Sequence, residues 1–239
     1  CLKRVKKVSN RPINRKYRFY FDEVNMKIFL LTFLSVFLFN SSSYCREVLG
    51  IDTAYPPYMY GDKGQAKGLY VQLLKKVFQK MKVDIKLEAK PWARVMRTAK
   101  RGKWGVGGIY KNAERVKIFD YSEPIYKERL LLFVRKSSTI KFNSLKDLKG
   151  KTLAIMRGWS YGTEFDNAKK KGLFRVVETN RGEQSFNLLF KKRVDGVVMD
   201  SVSAKVILEK NEWTQKVKEK TTPVATNAAY IVFLKSMNK

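Results

Sequence analysis

The sequence predicts an α/β fold of two lobes, and three observations lead to that prediction. From residue 47 onward, short apolar runs alternate with segments whose apolar residues recur at helical spacing, which is typical of strands joined by crossover helices. Two polar segments, 135–142 and 221–226, each adjoin a strongly apolar strand and are interpreted as crossings between lobes. Distinctive polar and aromatic residues follow four of the predicted strands, where ligands bind in open α/β sheets.

The first lobe opens with a strand over 48–51. In the next segment, Tyr70, Leu74 and Phe78 recur at helical spacing with lysines on the opposite face, which predicts an amphipathic helix over 70–81. The elements that follow are strands over 83–87, 106–109 and 130–134 and a helix over 92–100.

A second set of alternating elements begins at residue 152. It consists of strands over 152–156, 174–178 and 196–199, helices over 161–170, 183–190 and 201–209, and a last strand over 228–234. The two crossings then place residues 46–136 and 223–239 in lobe 1 and residues 137–222 in lobe 2. A cleft between such lobes is a common place for a small ligand to bind.

The composition is strongly basic, with 50 Lys and Arg against 21 Asp and Glu in 239 residues, a formal net charge of +29. Nucleic acid and anionic surfaces are the usual partners of such a charge. The lysines are scattered along every segment without a nucleic-acid-binding motif, so we interpret them as a solvated coat and expect no nucleic-acid partner. The chain has no histidine, and its two cysteines are Cys1 and Cys45. We therefore expect no metal, no cofactor and no Cys–His nucleophile.

Residues 26–45 are predicted to be a secretory signal peptide. Lys27 supplies a short basic start, and 28–39 is apolar apart from two hydroxyl residues. An apolar core of ~7–15 residues is typical of a signal peptide, whereas a membrane span needs ~20. An uncleaved anchor is the alternative. Residues 1–25 are interpreted as an extended leader or as sequence outside the working protein, and we expect the body to lie in the periplasm.

Tyr55 follows the first strand, in the run Asp-Thr-Ala-Tyr-Pro-Pro-Tyr over 52–58. The two prolines restrict the backbone of this turn, which lowers the entropy lost when an aromatic ring closes on a ligand. The alternative is an aromatic turn that packs on the core.

Gly108, Tyr110 and Arg115 follow the strand over 106–109. Glycine lets a ligand approach the backbone closely, and an arginine binds a carboxylate through two parallel hydrogen bonds. The alternative is that Arg115 forms a surface ion pair with Glu114 or Asp120.

Two further strand ends carry candidate polar groups. Gly158 and Ser160 lie between the strand over 152–156 and the next helix, whose free N–H groups would attract an anion; Ser160 could instead cap that helix. Asp200 follows the strand over 196–199, where it could bind an ammonium group or act as the N-cap of the helix that follows.

Six segments in this order resemble the bacterial extracellular solute-binding proteins of family 3, the periplasmic receptors of polar amino acid ABC transporters. The resemblance covers residues 47–234. The segments are Asp52-Thr53-x-Tyr55-Pro56-Pro57-Tyr58, Gly68-Leu69-x-Val71, Pro91-Trp92-x-Arg94, Glu114-Arg115 with Phe119-Asp120-Tyr121-Ser122-Glu123-Pro124, Leu145-x-x-Leu148-x-Gly150-Lys151, and Arg193-Val194-Asp195-Gly196 leading to Asp200. The resemblance implies a two-lobed, periplasmic-binding-protein-like α/β fold with two crossover strands between the lobes.

The same resemblance implies a role for individual residues. Tyr55 and Trp92 would sandwich the ligand side chain. Arg115 would bind its α-carboxylate, helped by the backbone around Gly108 and Ser160. Asp200 would bind its α-ammonium group.

The sequence departs from the family at the pocket. Hydroxyl residues are frequent in the family where Gly107, Gly108 and Tyr110 stand here, and an acidic pair is replaced by Tyr70 and Gln72. Side-chain hydrogen bonds to a ligand carboxylate are therefore fewer than the family pattern provides.

The sequence thus leads us to expect a monomeric extracytoplasmic protein that captures a small polar ligand, an amino acid, for the membrane permease of an ABC transporter. Three alternatives remain: a dehydratase-like enzyme on the same fold, a ligand-sensing module of a membrane receptor, and a basic protein that coats an anionic surface. The absence of histidine and of a close carboxylate pair in the motif segments argues against an enzyme, so we expect no catalytic residues.

Overall fold

A computed structural model describes residues 47–237, and the predicted leader and signal peptide lie outside the described residues. The strands are β1 (Glu47–Asp52), β2 (Ala54–Tyr55), β3 (Met59–Asp62), β4 (Gln65–Lys67), β5 (Ile85–Lys90), β6 (Gly105–Tyr110), β7 (Phe119–Tyr121), β8 (Tyr126–Arg135), β9 (Thr152–Met156), β10 (Arg175–Thr179), β11 (Gly196–Asp200), β12 (Val217–Glu219) and β13 (Ala225–Leu234). The α-helices are α1 (Leu69–Lys80), α2 (Trp92–Lys100), α3 (Arg115–Ile118), α4 (Thr163–Lys170), α5 (Gly182–Phe190) and α6 (Ser201–Lys210).

Ten of these strands form one mixed sheet. The strand order is β10-β9-β11-β8-β13-β6-β1-β5, with β12 paired to β8 and β7 paired to β13. β1 runs parallel to β5 and β6, and β9 runs parallel to β10 and β11. The α/β fold class is confirmed. Parallel pairing, expected from the alternation of strands and helices, holds in the two outer parts of the sheet but not at its centre.

The two central strands, β8 and β13, join the outer parts. The first half of β8 pairs antiparallel with β13, and its residues 130–133 pair with β11. In the same way β13 leaves β8 at Ala229 and continues along β6. These are the two crossover strands of the predicted fold. Both begin earlier than predicted, because polar residues such as Glu128 and Thr226 belong to the strands.

Most other predicted elements are found within a residue of their predicted bounds, and three further differences have a physical reason. β5 begins at Ile85 rather than at 83, since it pairs with β1 in register from Glu47–Ile85 to Asp52–Lys90. α4 begins at Thr163 rather than at Tyr161, because the Tyr161 side chain is buried and its hydroxyl accepts a hydrogen bond from the Met156 N–H. The small sheet β2-β3-β4 was not predicted, and its strands are too short to show an alternating pattern.

Helix α1 buries Tyr70, Val71, Leu74 and Phe78 against the sheet, as its helical spacing predicts. Met81, counted in the predicted helix, lies just beyond it and is 60% exposed. Helix α2 buries Trp92, Val95 and Ala99 in the same way. Within residues 47–237, no helix combines the length and apolar character needed to cross a membrane.

Candidate binding site

A cavity with about 270 Å³ of empty space lies where β1, β5, β6 and β9 end. This figure includes space that is open to solvent. Its lining residues are Tyr55, Met59, Trp92, Gly108, Tyr110, Arg115, Trp159 and Ser160. A wider depression of about 970 Å³ adjoins it and shares Arg115, Trp159 and Ser160. The structure thus brings six of the eight sequence-predicted site residues into one cavity. Gly158 lies in the adjoining depression, and Asp200 lines neither space.

Tyr55 and Trp92 form aromatic walls of the cavity, and each is positioned by the turn before it. Asp52 ends β1 and accepts a hydrogen bond from the Ala54 N–H at 3.0 Å, which turns the chain into β2. Trp92 is the first residue of α2, and its indole N–H donates to the carbonyl of Gly158 at 3.1 Å. Both rings are buried in the hydrophobic core, so the turn at Tyr55 packs on the core, as the alternative states, while Tyr55 also lines the cavity.

Position 108 requires a glycine because of its backbone conformation and because of the side chains packed against it. It has a φ of +76°, a conformation that residues with a side chain rarely adopt. A Cβ atom at this position would lie 2.8 Å from Cδ2 of Tyr70 and 2.9 Å from Cε of Met59. The missing side chain therefore lets Tyr70 and Met59 pack directly beneath the cavity.

Arg115 is a buried cation without an ionic partner in the described part of the chain. Its side chain is 8% exposed, and no carboxylate of residues 47–237 lies within ion-pair distance. Glu114, a partner suggested by the sequence, pairs with Lys170 at 2.6 Å instead. The Arg115 guanidinium donates to the Tyr110 carbonyl at 3.1 Å and lies 5.8 Å from the Trp92 ring.

Burial lowers the pKa of Arg115 from its ordinary value, because the surroundings disfavour the charged form. An arginine nonetheless stays protonated at neutral pH. The result is a fixed positive charge at the cavity wall, held at the start of α3 by the Asn112 side chain, which accepts a hydrogen bond from the Arg115 N–H at 2.8 Å. Such a group can bind an anion.

Ser160 is not the N-cap of α4, because Gly162 takes that position. The Ser160 hydroxyl donates to Asp166 at 2.5 Å, and the Tyr161 N–H donates to the same carboxylate at 3.1 Å. The anion position that the sequence predicts at this helix start is therefore filled by a carboxylate of the helix itself. A ligand anion could accept the proton of the Ser160 hydroxyl only in place of Asp166.

Asp200 is the N-cap of α6, one of the two roles that the sequence left open. One carboxylate oxygen accepts hydrogen bonds from the N–H groups of Val202 and Ser203, both at 3.0 Å. The other oxygen has no hydrogen-bond partner among the described residues, and the side chain is 1% exposed. Capping thus uses half of the carboxylate and leaves the second oxygen for another donor.

Behind the cavity lies a buried carboxylate, Glu128, that the sequence pattern did not single out. It is 2% exposed and accepts hydrogen bonds from the hydroxyls of Tyr55, Tyr70 and Tyr110. No basic side chain of residues 47–237 pairs with it. Two of its three donors, Tyr55 and Tyr110, line the cavity.

Three buried carboxyl groups near the cavity have raised pKa values. Burial raises the pKa of Glu128 to about 7, partly offset by the three tyrosine hydrogen bonds. Burial likewise raises the pKa of Asp52 to about 6 and the pKa of Asp200 above its ordinary value. The pKa of Tyr55 rises well above its ordinary value, first through burial and then through neighbouring groups that include Glu128 and Asp200. The tyrosine therefore keeps its proton and acts as a donor.

Three polar contacts and one ring contact join the segments on the two sides of the cavity. The Trp159 indole N–H donates to Asp52 at 2.8 Å, and its ring meets the Tyr55 ring edge-on with centroids 4.5 Å apart. The hydrogen bond from Trp92 to Gly158 and the Glu114–Lys170 ion pair span the same gap. A molecule in the cavity would therefore touch residues that follow β1, β5 and β6 on one side and β9 on the other.

Sequence reasoning missed Glu128, Tyr70 and Trp159. Glu128 has a usable signal, because buried residues alternate with exposed Arg129 along this part of β8 and Glu128 falls on the buried face with Leu130. Trp159 stood inside a segment already noted after β9. Tyr70 follows a helical apolar pattern that gives no indication of a polar role for its hydroxyl.

Within residues 47–237, no three His, Cys, Asp or Glu side chains are grouped so that they could hold a metal ion. The chemistry that the cavity offers is binding: a buried cation, aromatic faces and acceptor groups backed by carboxylates.

Comparison with known proteins identifies the family. The model of the bacterial extracellular solute-binding proteins, family 3, matches residues 48–231. The chain is 23% identical over 169 residues to the arginine-binding extracellular protein ArtP of Bacillus subtilis, covering 70% of this chain and 66% of the relative. It is also 23% identical over 170 residues to the L-cystine-binding protein TcyJ of Escherichia coli, covering 70% of this chain and 63% of the relative.

The fold is that of solved binding proteins. The structure of holo ArgBP from T. maritima superposes with a TM-score of 0.66 at 24% identity, over 81% of this chain and 84% of that chain. This chain spans about two thirds of the length of these curated relatives. Residues 48–231, which match the family model, contain every residue of the cavity. The chain belongs to the bacterial extracellular solute-binding proteins of family 3.

Proposed function

We propose that this protein binds an amino acid outside the cytoplasmic membrane and delivers it to the permease of an ABC transporter. The observation that carries the proposal is the buried guanidinium of Arg115, which has no ionic partner among residues 47–237, at the wall of an aromatic cavity. A buried charge is costly unless it is paired, and a ligand carboxylate would supply the missing partner. The names of two relatives, an arginine-binding and an L-cystine-binding protein, support an amino acid as that ligand.

In this proposal, Arg115 binds the α-carboxylate through two parallel hydrogen bonds. Tyr55 and Trp92 flank the ligand, and Gly108 lets Tyr70 and Met59 pack beneath it. For the free oxygen of Asp200 to accept a hydrogen bond from the α-ammonium group, the side chain must become accessible from the cavity, since it is 1% exposed and lines neither space. Ser160 and Gly158 contribute from the loop after β9, with Ser160 released from Asp166.

Ligand capture would follow from closure of two lobes, with the boundaries 46–136 plus 223–239 and 137–222. A ligand that touches both sides of the cavity stabilises the closed arrangement over an open one, so binding shifts that equilibrium. The three polar contacts that join the two sides support this mechanism, because they would break on opening. We propose that the protein acts as a monomer and a binder, without catalysis, and reaches the periplasm through the signal peptide at 26–45.

A thermal-shift screen of the full chain against the twenty common amino acids and L-cystine tests this function. A ligand at 100 times its dissociation constant stabilises the folded state by about 2.7 kcal/mol, or about 5–10 °C in a chain of this size. We expect a shift of that size with a restricted set of amino acids. An Arg97→Ala variant, altered at an exposed position of α2, serves as the control and should respond like the parent. A well-folded protein that responds to no amino acid would contradict the proposal.

A further inference from the structure

The hydroxyl groups of Tyr55 and Tyr110 have a fixed direction of donation. Each phenol has one proton, and in both residues that proton is donated to Glu128. The two oxygens lie 3.3 Å apart beside the cavity that both residues line. When Glu128 is ionised and holds both tyrosine protons, a hydrogen bond between these hydroxyls and a molecule in the cavity is accepted by the tyrosine and donated by the molecule.

Two buried carboxyl groups, Glu128 and Asp200, lie behind Tyr55 and Tyr110, and Glu128 is negative above about pH 7. Glu128 has three tyrosine donors and no basic partner among residues 47–237, and Asp200 lies close enough to raise the pKa of both Tyr55 and Tyr58. Because the carboxylates are buried, their field is less screened by water than that of surface charges. The field of these carboxylates and the tyrosine oxygens in front of them therefore favour a positive group in the cavity. The ring faces of Tyr55 and Trp92 favour a cation as well.

We propose that Glu128 is a specificity-determining residue that holds Tyr55 and Tyr110 as hydrogen-bond acceptors, so that the site selects a ligand with a cationic nitrogen at the end opposite its carboxylate. This inference rests on the proposed function, since Arg115 is taken to bind the carboxylate. Glu128 acts through the tyrosines and does not itself contact the ligand. The substrate class is therefore a cationic amino acid.

Calorimetric titration with three probes of similar shape tests the inference. L-Arginine has both a carboxylate and a guanidinium group, L-citrulline replaces the guanidinium with a neutral urea, and agmatine lacks the carboxylate. We expect the parent to bind L-arginine at least about tenfold more tightly than L-citrulline, the effect of one charge-assisted hydrogen bond. In Glu128→Gln the new amide donates to a tyrosine oxygen, so the proton of that hydroxyl turns toward the cavity. The ratio of the affinities for L-arginine and L-citrulline should then fall close to one.

Two further variants separate this role from a structural one. Tyr110→Phe keeps Glu128 and removes one acceptor, so it should lower the arginine preference only in part. Glu209→Gln removes an exposed carboxylate of α6 and should leave the preference unchanged. If Glu128→Gln does not fold, the Tyr110→Phe result decides. A preference for L-arginine over L-citrulline that is the same in Tyr110→Phe and in the parent would show that the tyrosine hydroxyl does not select the ligand.

The pH dependence provides a second readout. The groups that face Glu128 are Tyr55, Tyr70, Tyr110 and Asp200, and the tyrosines stay protonated. Loss of charge on Glu128 below about pH 7 should therefore make arginine binding about tenfold weaker at pH 6 than at pH 8. Glu128→Gln should remove most of this dependence, leaving the smaller contribution of Asp200. A parent whose arginine affinity does not change over this range would contradict the proposal.

The outcomes distinguish this inference from the proposed function. Equal binding of L-arginine and L-citrulline, with both lost in Arg115→Ala, would overturn the cationic preference and leave the amino acid function standing. Binding of agmatine as tight as that of L-arginine would support the tyrosine hydroxyls as acceptors for a cation. It would contradict the proposal that Arg115 binds a ligand carboxylate. A preference for arginine that persists in Glu128→Gln would overturn the role of Glu128 itself.

Discussion

The free energy of unfolding is expected to fall by about 3 kcal/mol through Glu128 alone as the pH rises from about 4.5 to about 7. The pKa of this carboxyl group rises from an ordinary value of 4.5 to about 7 in the folded chain, and a pKa difference of one between the folded and unfolded states corresponds to about 1.4 kcal/mol. Between these two values the folded state binds the proton and the unfolded state does not. Stability is therefore fully present below about pH 4.5 and is lost as the pH rises through about 7.

Chemical denaturation at about pH 5 and about pH 8 measures this effect. Asp52 and Asp200 also have raised pKa values and contribute with the same sign, so the parent should lose more than Glu128 accounts for. Glu128→Gln removes the titrating group and should reduce the loss by about 3 kcal/mol. The exposed control Glu209→Gln should match the parent. A Glu128→Gln variant with the same pH dependence as the parent would show that Glu128 titrates normally.

Replacement of Arg115 by methionine is expected to abolish ligand binding without destabilising the protein. Methionine fills a similar volume without charge, so the variant no longer buries a cation that lacks an ionic partner in residues 47–237. We expect the Tm in the absence of ligand to equal or exceed that of the parent. Affinity for the ligand should fall at least about 100-fold, because the two charge-assisted hydrogen bonds to its carboxylate are lost.

The matched control for this prediction is Arg97→Met, which places the same side chain at an exposed position of α2. It should change neither Tm nor affinity. Thermal unfolding and calorimetric titration of both variants measure the two quantities separately. A large fall in Tm for Arg115→Met would mean that Arg115 serves the fold, and unchanged affinity would remove it from the binding site.

The fold was predictable because its signals are regular. The helical spacing in α1 and α2 and the apolar runs of β1, β6, β9 and β11 determine which faces are buried, and the six family segments determine their order. The small sheet β2-β3-β4 was not predictable in this way, since two to four residues are too few to show a period. The early starts of β8 and β13 escaped detection because polar residues interrupt their apolar pattern.

Site residues could be predicted from the sequence where they lie directly after a strand. Tyr55, Trp92 and Arg115 were placed on this basis, and the structure brings all three to one cavity. Glu128 could not be found that way, since it lies within β8 and its three tyrosine donors come from separate parts of the chain. Asp166 is a similar case: its position at Ser160 depends on a loop conformation that the sequence does not reveal.

The most direct test of the account is a crystal structure of the protein with the amino acid that gives the largest thermal shift. We predict ligand density between Tyr55 and Trp92, with the α-carboxylate at hydrogen-bond distance, about 2.7–2.9 Å, from the Arg115 guanidinium. A cationic nitrogen of the same ligand should lie against the hydroxyls of Tyr55 and Tyr110. Ligand density outside this cavity, or a carboxylate directed away from Arg115, would contradict the account.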